Sequence, residues 1–181
     1  DERSFVNAIV GLHATGGSTN HMLHLPAMAA AAGIKLTWED FEDLSEVVPL
    51  LARVYPNGHA DVNEFHNAGG MNFIFHELIS EGLLDTSAKT SWGQTLADYI
   101  KKPEIKNSEL VWTSLRGKSR DESILRTSVR PFMKSGGIKV LSGNLGRAVI
   151  KVSSVSVNNL NDPYDSEEEI NTWSSPSMHY N

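Results

Sequence analysis

The sequence predicts an α/β fold, in which a helix-rich, layered α/β body is followed by the first β-strands of a β-rich second domain. Apolar residues recur at helical spacing between residues 18 and 82, whereas apolar and polar residues alternate between 148 and 157. The chain has 181 residues, 40% of them hydrophobic. That is enough for one domain, or one domain and part of another, with a buried core.

The first predicted helix starts at residue 18 or 19. Residues 22–32 are apolar almost all round, which is typical of a helix that is buried on most sides. Pro26 lacks an amide hydrogen and clashes with the carbonyl one turn earlier, so the helix either bends near Met22 or begins later than the preceding glycines indicate. We expect Gly33 to end it in the left-handed conformation.

A second helix is predicted from a near capping box formed by Thr37 and Asp40. Apolar residues follow at helical spacing between 41 and 48, and Pro49 lies at the end. A short strand over residues 50–54 is expected next.

Asp61 and Glu64 form another N-cap signal, after which apolar residues recur at helical spacing from Met71 to the stop at Gly82. Between these signals lies a glycine pair at residues 69–70. We interpret the pair as a helix entry or a close-packing feature, in preference to a second phosphate cradle.

The pattern changes after about Asp85. Residues 86–91 and 101–108 are polar, which favours connecting loops on either side of a short helix over 95–100. The apolar run at 138–141, the Gly-Asn turn at 143–144 and the alternation after Ala148 predict a β-hairpin with unpaired edges.

We therefore expect three regions. Residues 1–125 form the α/β body, residues 126–156 start the β-rich second domain, and residues 157–181 form a disordered tail, because this tail is polar and lacks apolar periodicity.

The charge distribution excludes several partners. The formal net charge is −6, and five acidic residues but no Lys or Arg lie beyond Lys151, so the rest of the chain is nearly neutral. A nearly neutral body does not favour nucleic-acid binding. No apolar run approaches the roughly 20 residues that cross a bilayer, and the first residues lack a signal-peptide pattern, so we expect a cytoplasmic protein with no membrane partner.

The segment TGGSTNH at 15–21 is the strongest candidate site. Glycine amides followed by hydroxyl and amide side chains at a helix start predict a cradle for a phosphate or carboxylate. A turn that merely starts a helix is the alternative. The predicted substrate-binding residues are Gly16, Gly17, Ser18, Thr19, Asn20 and His21.

The histidines allow a second hypothesis. His21 and His24 lie about one helical turn apart, as a metal pair would, but no third ligand is evident. We expect His24 to pack or hydrogen-bond inside the protein, and we expect His59, His66 and His76 to face solvent. No residue of the chain is assigned a catalytic or metal-binding role.

A series of short motifs, in a fixed order, resembles the dihydroxy-acid and 6-phosphogluconate dehydratase family over most of the chain. They are NAI at 7–9, ATGGSTNH at 14–21, LHLPAMA at 23–29, DLS at 43–45, VPL at 48–50, YPNG at 55–58, ADVN at 60–63, AGGM at 68–71, EL at 77–78, GLL at 82–84, RP at 130–131, GGIKVL at 136–141 and GNLGRAVIK at 143–151. The residues at 55–61 and 144–149 resemble the phosphogluconate branch of the family more than the branched-chain dihydroxy-acid branch.

This resemblance implies a lyase that removes water from an anionic sugar-acid phosphate, 6-phosphogluconate, with an iron-sulfur cluster and a divalent metal. The chain contains no cysteine, so it lacks the thiolates that hold such a cluster. In the family those ligands lie mostly upstream of the matched region, and the catalytic serine lies downstream. The resemblance therefore implies an internal piece of the enzyme, inactive alone, whose parent is a homodimer.

Two other functions stay open. One is the branched-chain dihydroxy-acid dehydratase, which needs no phosphate site. The other is a non-catalytic anion-binding or interaction module, which would use the unfinished sheet edge to associate.

Overall fold

The computed structural model describes residues 1–91, 95–96, 101–114 and 118–154. Within these residues the chain forms five α-helices and two antiparallel hairpins, which confirms the mixed α/β class. The helices are α1 (Glu2–Thr15), α2 (His21–Ala31), α3 (Trp38–Val47), α4 (Val62–Ala68) and α5 (Gly70–Ser80), and the strands are β1 (Lys101–Lys106), β2 (Glu109–Ser114), β3 (Lys139–Gly143) and β4 (Gly146–Ile150).

Helix α1, which the sequence analysis did not identify, lies between two apolar clusters. Val10 and Ala14 on one face pack in a cluster with residues of α5. Ile9 and Leu12 pack in a second cluster with residues of α2, α3 and β3. Because apolar residues three and four apart lie along one side of a helix, two such sets on α1 place it at the centre of the fold.

Helix α2 begins at His21, later than residue 18 or 19, and accommodates Pro26 in its interior. The Met22 carbonyl would normally accept the amide four residues later, and proline has none. The Trp38 Nε1 donates to this carbonyl instead, at 3.2 Å. Gly33, with φ of 74°, follows in the left-handed conformation, as predicted.

The expectation that α2 is buried on most sides is wrong within the described residues. Only Met22, Leu25 and Ala29 are buried, because these positions form the single stripe that faces α1 and α3. Leu23 and Met28 on the other side are 65% and 59% exposed.

The predicted helix caps are confirmed. The Thr37 amide donates to the Asp40 carboxylate at 2.7 Å before α3, and the amides of Asp61 and Glu64 donate to each other's carboxylates at 2.8 Å before α4. Gly69, with φ of 146°, separates α4 from α5, and a Cβ there would meet the Phe73 Cβ at 2.9 Å. The glycine pair is thus a helix entry and a close approach.

Residues 50–54 do not form the predicted continuous strand. They make three isolated bridges to different segments, which are Leu50 to Met133, Ala52 to Leu125 and Val54 to Ala60. The backbone of this segment is therefore held by several partners, and its hydrogen bonds are made without a regular sheet.

The loop predicted at 101–108 is wrong, because residues 101–106 are strand β1 and pair with β2. Asn107 and Ser108 both have positive φ, 51° and 65°, which is the geometry of a two-residue hairpin turn. The hairpin predicted from residue 138 onward is present as β3 and β4. Its second strand is shorter than the predicted alternation from 148 to 157, because Val152–Ser154 form a 3₁₀ helix. Most of the predicted helix at 95–100 and the tail at 157–181 lie outside the described residues.

The division into domains at residue 125 stays a prediction. Ile138 and Val140 at the start of the second hairpin pack in one cluster with Phe41 of α3. In the described part of the chain, no helix has the length and apolar character to cross a membrane.

Candidate functional site

The two glycines of the predicted cradle terminate α1. Gly16 has φ of 58°, and its amide donates to the His13 carbonyl at 3.3 Å. The Gly17 amide donates to the Leu12 carbonyl at 3.0 Å. These amides satisfy carbonyls at a helix C-terminus, where the dipole is negative, so they do not point at an anion. This corrects the expected role of Gly16 and Gly17.

The amides that remain for an anion are those of the next two residues. Ser18 Oγ accepts the Asn20 amide at 3.2 Å, and the Ser18 carbonyl accepts the His21 amide at 3.1 Å, so Ser18 acts as a cap of the turn into α2. The amides of Ser18 and Thr19 donate to no acceptor within the described residues. Both lie at the positive end of the α2 dipole.

His21 adds a side chain to this turn. Its Nδ1 lies 3.0 Å from the Ser18 carbonyl oxygen. A carbonyl only accepts, so Nδ1 carries the proton, and the Nε2 of the neutral ring is an acceptor. The exposed ring is therefore oriented by the same turn that presents the two amides.

A cavity of about 450 Å³ opens beside this turn, between α1, α2 and α5. Gly17, His21 and Lys89 are among the residues that line it. The remaining wall is mostly apolar and includes Leu12, Leu25, Phe75 and Leu84. Because burying an unpaired charge in apolar surroundings is costly, a charged ligand group would lie against the polar lining groups, such as His21 and Lys89.

The structure therefore divides the six predicted residues. Gly17 and His21 reach the cavity wall, whereas Gly16 is buried and faces Asn57. Ser18 and Asn20 are exposed, and Thr19 is half-buried. Substrate binding by this segment stays a prediction.

Asn57, whose role the sequence analysis did not identify, fixes the turn from behind. Its Nδ2 donates to the carbonyl oxygens of Gly16 at 2.6 Å and Thr15 at 3.3 Å. Its Oδ1 accepts the hydroxyls of Ser153 at 2.9 Å and Ser154 at 3.0 Å. The Pro-Asn-Gly string at 56–58 predicts a turn, but not that this amide joins the end of α1 to the segment after β4.

His13 was also missed, since one histidine in an apolar run carries no signal of its role. Its Nε2 lies 2.9 Å from the Phe41 carbonyl oxygen, and Nδ1 is buried without a partner in the described residues, against Gly136. Burial, and to a smaller extent the Lys139 charge, lower the His13 pKa to about 4, although the Phe41 hydrogen bond acts in the opposite direction. The side chain is therefore neutral at pH 7.

The expectation for His24 is wrong, because its side chain is exposed on the outer side of α2. His59 and His66 are exposed as predicted, whereas His76 is partly buried. Among the described residues, no three His, Cys, Asp or Glu side chains are grouped closely enough to hold a metal ion. Without a cysteine the chain's residues do not fit an iron-sulfur cluster.

Comparisons with known proteins identify the family. The family described as "Dihydroxy-acid/6-phosphogluconate dehydratase N-terminal" matches residues 1–99. The phosphogluconate dehydratase of Rhizobium meliloti is 55% identical over 156 residues, which are 86% of this chain and 26% of that protein. The Escherichia coli K12 phosphogluconate dehydratase is 53% identical over 159 residues, 88% of this chain and 26% of that protein.

A more distant relative is the dihydroxy-acid dehydratase of Caldanaerobacter subterraneus subsp. tengcongensis. It is 37% identical over 175 residues, 93% of this chain and 29% of that protein. The chain thus spans about a quarter of the length of the two phosphogluconate dehydratases. The match over more than half of its residues shows that the chain belongs to the dihydroxy-acid/6-phosphogluconate dehydratase family.

Proposed function

We propose that the chain acts as part of a hydro-lyase that removes water from 6-phosphogluconate and gives 2-keto-3-deoxy-6-phosphogluconate. The observation that carries this proposal is the higher identity to the two phosphogluconate dehydratases, 55% and 53%, than to the dihydroxy-acid dehydratase, 37%. The substrate carries a carboxylate and a phosphate, charges that do not cross a bilayer readily. Because such a substrate stays in the compartment in which it is made, we propose that the enzyme acts in the cytoplasm.

The chain's own part in this function is binding. Its residues do not fit the iron-sulfur cluster that the family resemblance implies, so we derive no step through that group. Removal of the proton beside the carboxylate needs a base in contact with substrate, and we assign none to this chain. A chain with this composition is expected to be inactive alone.

We propose that an anionic end of the sugar acid binds at the start of α2. The amides of Ser18 and Thr19 donate to its oxygens, and the positive end of the helix dipole adds about 0.3 to 1 kcal/mol. His21 lies beside these amides with its ring fixed by the Ser18 carbonyl. We propose that the sugar chain lies in the adjoining cavity, whose lining includes Lys89.

A pair of substitutions at Thr19 tests this binding mode. Thr19→Pro removes both the amide donor and the hydroxyl. Thr19 is the second residue of the turn in which the His21 amide donates to the Ser18 carbonyl, a position at which proline is favoured. Thr19→Ala removes only the hydroxyl and is the matched control. We expect 6-phosphogluconate to bind the proline variant about tenfold more weakly than the alanine variant, since a hydrogen bond to a charged group contributes roughly 1.5 to 3 kcal/mol.

Binding is measured by titrating the 181-residue chain and following amide chemical shifts in residues 16–21. Equal affinities of the two variants, with retained folding by circular dichroism, would contradict the role of the Thr19 amide. Assaying the full-length enzyme on both substrates separates the two branches: preferred turnover of a branched-chain dihydroxy acid would contradict the phosphogluconate assignment.

A further inference from the structure

Two arginine side chains lie against the same aromatic ring. The guanidinium carbon of Arg53 is 4.7 Å from the centroid of the Phe132 ring, and that of Arg126 is 4.3 Å from the same centroid. Both contacts are within the range of a cation–π interaction. The two positive groups thus contact the same ring.

The backbone around these three residues is tied together, which fixes where the side chains start. The Arg53 amide donates to the Ile124 carbonyl at 2.8 Å, and the Arg126 amide donates to the Leu51 carbonyl at 2.9 Å. The Phe132 amide donates to the Leu50 carbonyl, also at 2.9 Å. Leu50 and Leu51 are buried in the core, so the backbone that carries the two arginines and the ring is hydrogen-bonded to core residues.

Neither guanidinium has a carboxylate partner among the described residues. Arg126 Nε donates to the Glu122 backbone carbonyl at 3.1 Å, and Arg53 makes no side-chain hydrogen bond in this part of the chain. Two like charges near one ring repel each other. An anion that reaches both groups would relieve this repulsion.

Arg147 also lies near an aromatic ring, but it has carboxylate partners within the protein. Its guanidinium carbon lies 5.8 Å from the centroid of the Trp38 ring. It also contacts two carboxylates, with Nη1 2.6 Å from Glu39 Oε1 and Nη2 3.7 Å from Glu42 Oε2. Both Nη groups of Arg147 thus face carboxylates, whereas the Nη groups of Arg53 and Arg126 have no acceptor among the described residues.

We propose that Arg53 and Arg126, stacked on Phe132, form a binding site for a phosphate group. Guanidinium groups donate in a planar fork that matches the oxygens of a phosphate, and stacking on a ring leaves the donors at the edge of that plane free. The site shares no residue with the turn at the start of α2 and does not depend on the proposed function. Its ligand is either inorganic phosphate or the phosphate of an ester.

The test is a titration of the 181-residue chain with inorganic phosphate at low, fixed ionic strength, followed by NMR of the arginine Nε–Hε groups. We expect saturable shifts of Arg53 and Arg126, and about tenfold weaker binding in either Arg53→Gln or Arg126→Gln. Arg147→Gln is the matched control, because it removes a stacked arginine that already has carboxylate partners. It should bind phosphate as the parent chain does.

Phe132→Leu provides a second variant, which removes the stacking but keeps both charges. We expect it to weaken phosphate binding by less than the arginine substitutions while the chain stays folded by circular dichroism. Shifts that do not saturate, or an equal loss of affinity in Arg147→Gln, would overturn the proposal by showing a nonspecific charge effect.

Further arms of the titration separate the two sources of phosphate. Tighter binding of 6-phosphogluconate than of inorganic phosphate, with no response of Arg53 and Arg126 to gluconate, identifies a phosphate ester as the ligand. Equal affinities identify free phosphate. A response to gluconate as strong as that to phosphate would overturn the site's selectivity for phosphate.

Discussion

The two hairpins are both antiparallel pairs of short strands but differ in what stabilises them. In the first, Pro103, Ile105, Leu110 and Trp112 lie on one face, because cross-strand partners share a face and strand residues alternate. That face is open among the described residues, with Ile105 80% and Trp112 56% exposed. In the second, Val140 is 9% exposed, and Ile138 just before β3 is 1% exposed.

The difference shows two ways to stabilise a pair of strands that would be marginal alone. The first hairpin has a two-residue turn at Asn107 and Ser108, whose positive φ angles match the twist of the strands. The second has neither residue of its 144–145 turn at positive φ and instead packs against the helices through Ile138 and Val140. Local geometry favours one hairpin, and tertiary contacts favour the other.

Among the substitutions that compare the two hairpins, Ile138→Ala should lower the free energy of unfolding the most. It removes a fully buried side chain that packs beside Phe41 of α3, and such truncations lower the free energy of unfolding by roughly 2 to 5 kcal/mol. Urea unfolding followed by circular dichroism measures the change. A loss below about 1 kcal/mol would mean that the second hairpin is not anchored through this residue.

Lowering the pH should reduce the stability of the folded chain through His13, which lies beside the start of the second hairpin. The lowered pKa means that the unfolded chain binds a proton at its usual pKa of 6.5, while the folded chain binds one only near pH 4. Stability is therefore lost as the pH falls from about 6.5 to about 4, by roughly 3 kcal/mol in total. Gly136 and Lys139, which lie before and at the start of β3, adjoin the ring.

Unfolding free energies measured across this pH range test the assignment. His13→Gln should be less stable at pH 7 but lose this part of the pH dependence. His24→Gln, which changes an exposed histidine of α2, is the control and should keep it. An unchanged pH profile in His13→Gln would contradict the prediction.

The helical part of the fold was predictable where the signal is local. The capping residues Thr37, Asp40, Asp61 and Glu64 each act on amides within three residues, so their sequence spacing identifies the helix starts. The first hairpin was missed because its strand β1 is mostly charged, KKPEIK, and its turn is Asn-Ser, without the glycine of the strongest turn signals.

The candidate site was predictable as a segment but not in its geometry. The string GGST indicates a turn between helices, yet which amides are free depends on where α1 ends, and that helix end lies in an apolar run with no stop signal before Gly16. Asn57 and the pair Arg53 and Arg126 are brought into place by contacts between segments far apart in sequence. No local pattern contains that information.

Ile105→Ala should give the smallest effect and is the matched partner of Ile138→Ala. The side chain is 80% exposed, so its removal creates no cavity, and the cost is the modest loss of strand propensity, below about 1 kcal/mol. The same urea experiment measures it. A cost near that of Ile138→Ala would mean that the apolar face of the first hairpin is covered in solution. If that cost then falls on dilution, the covering surface belongs to a second copy of the chain, because association alone depends on concentration.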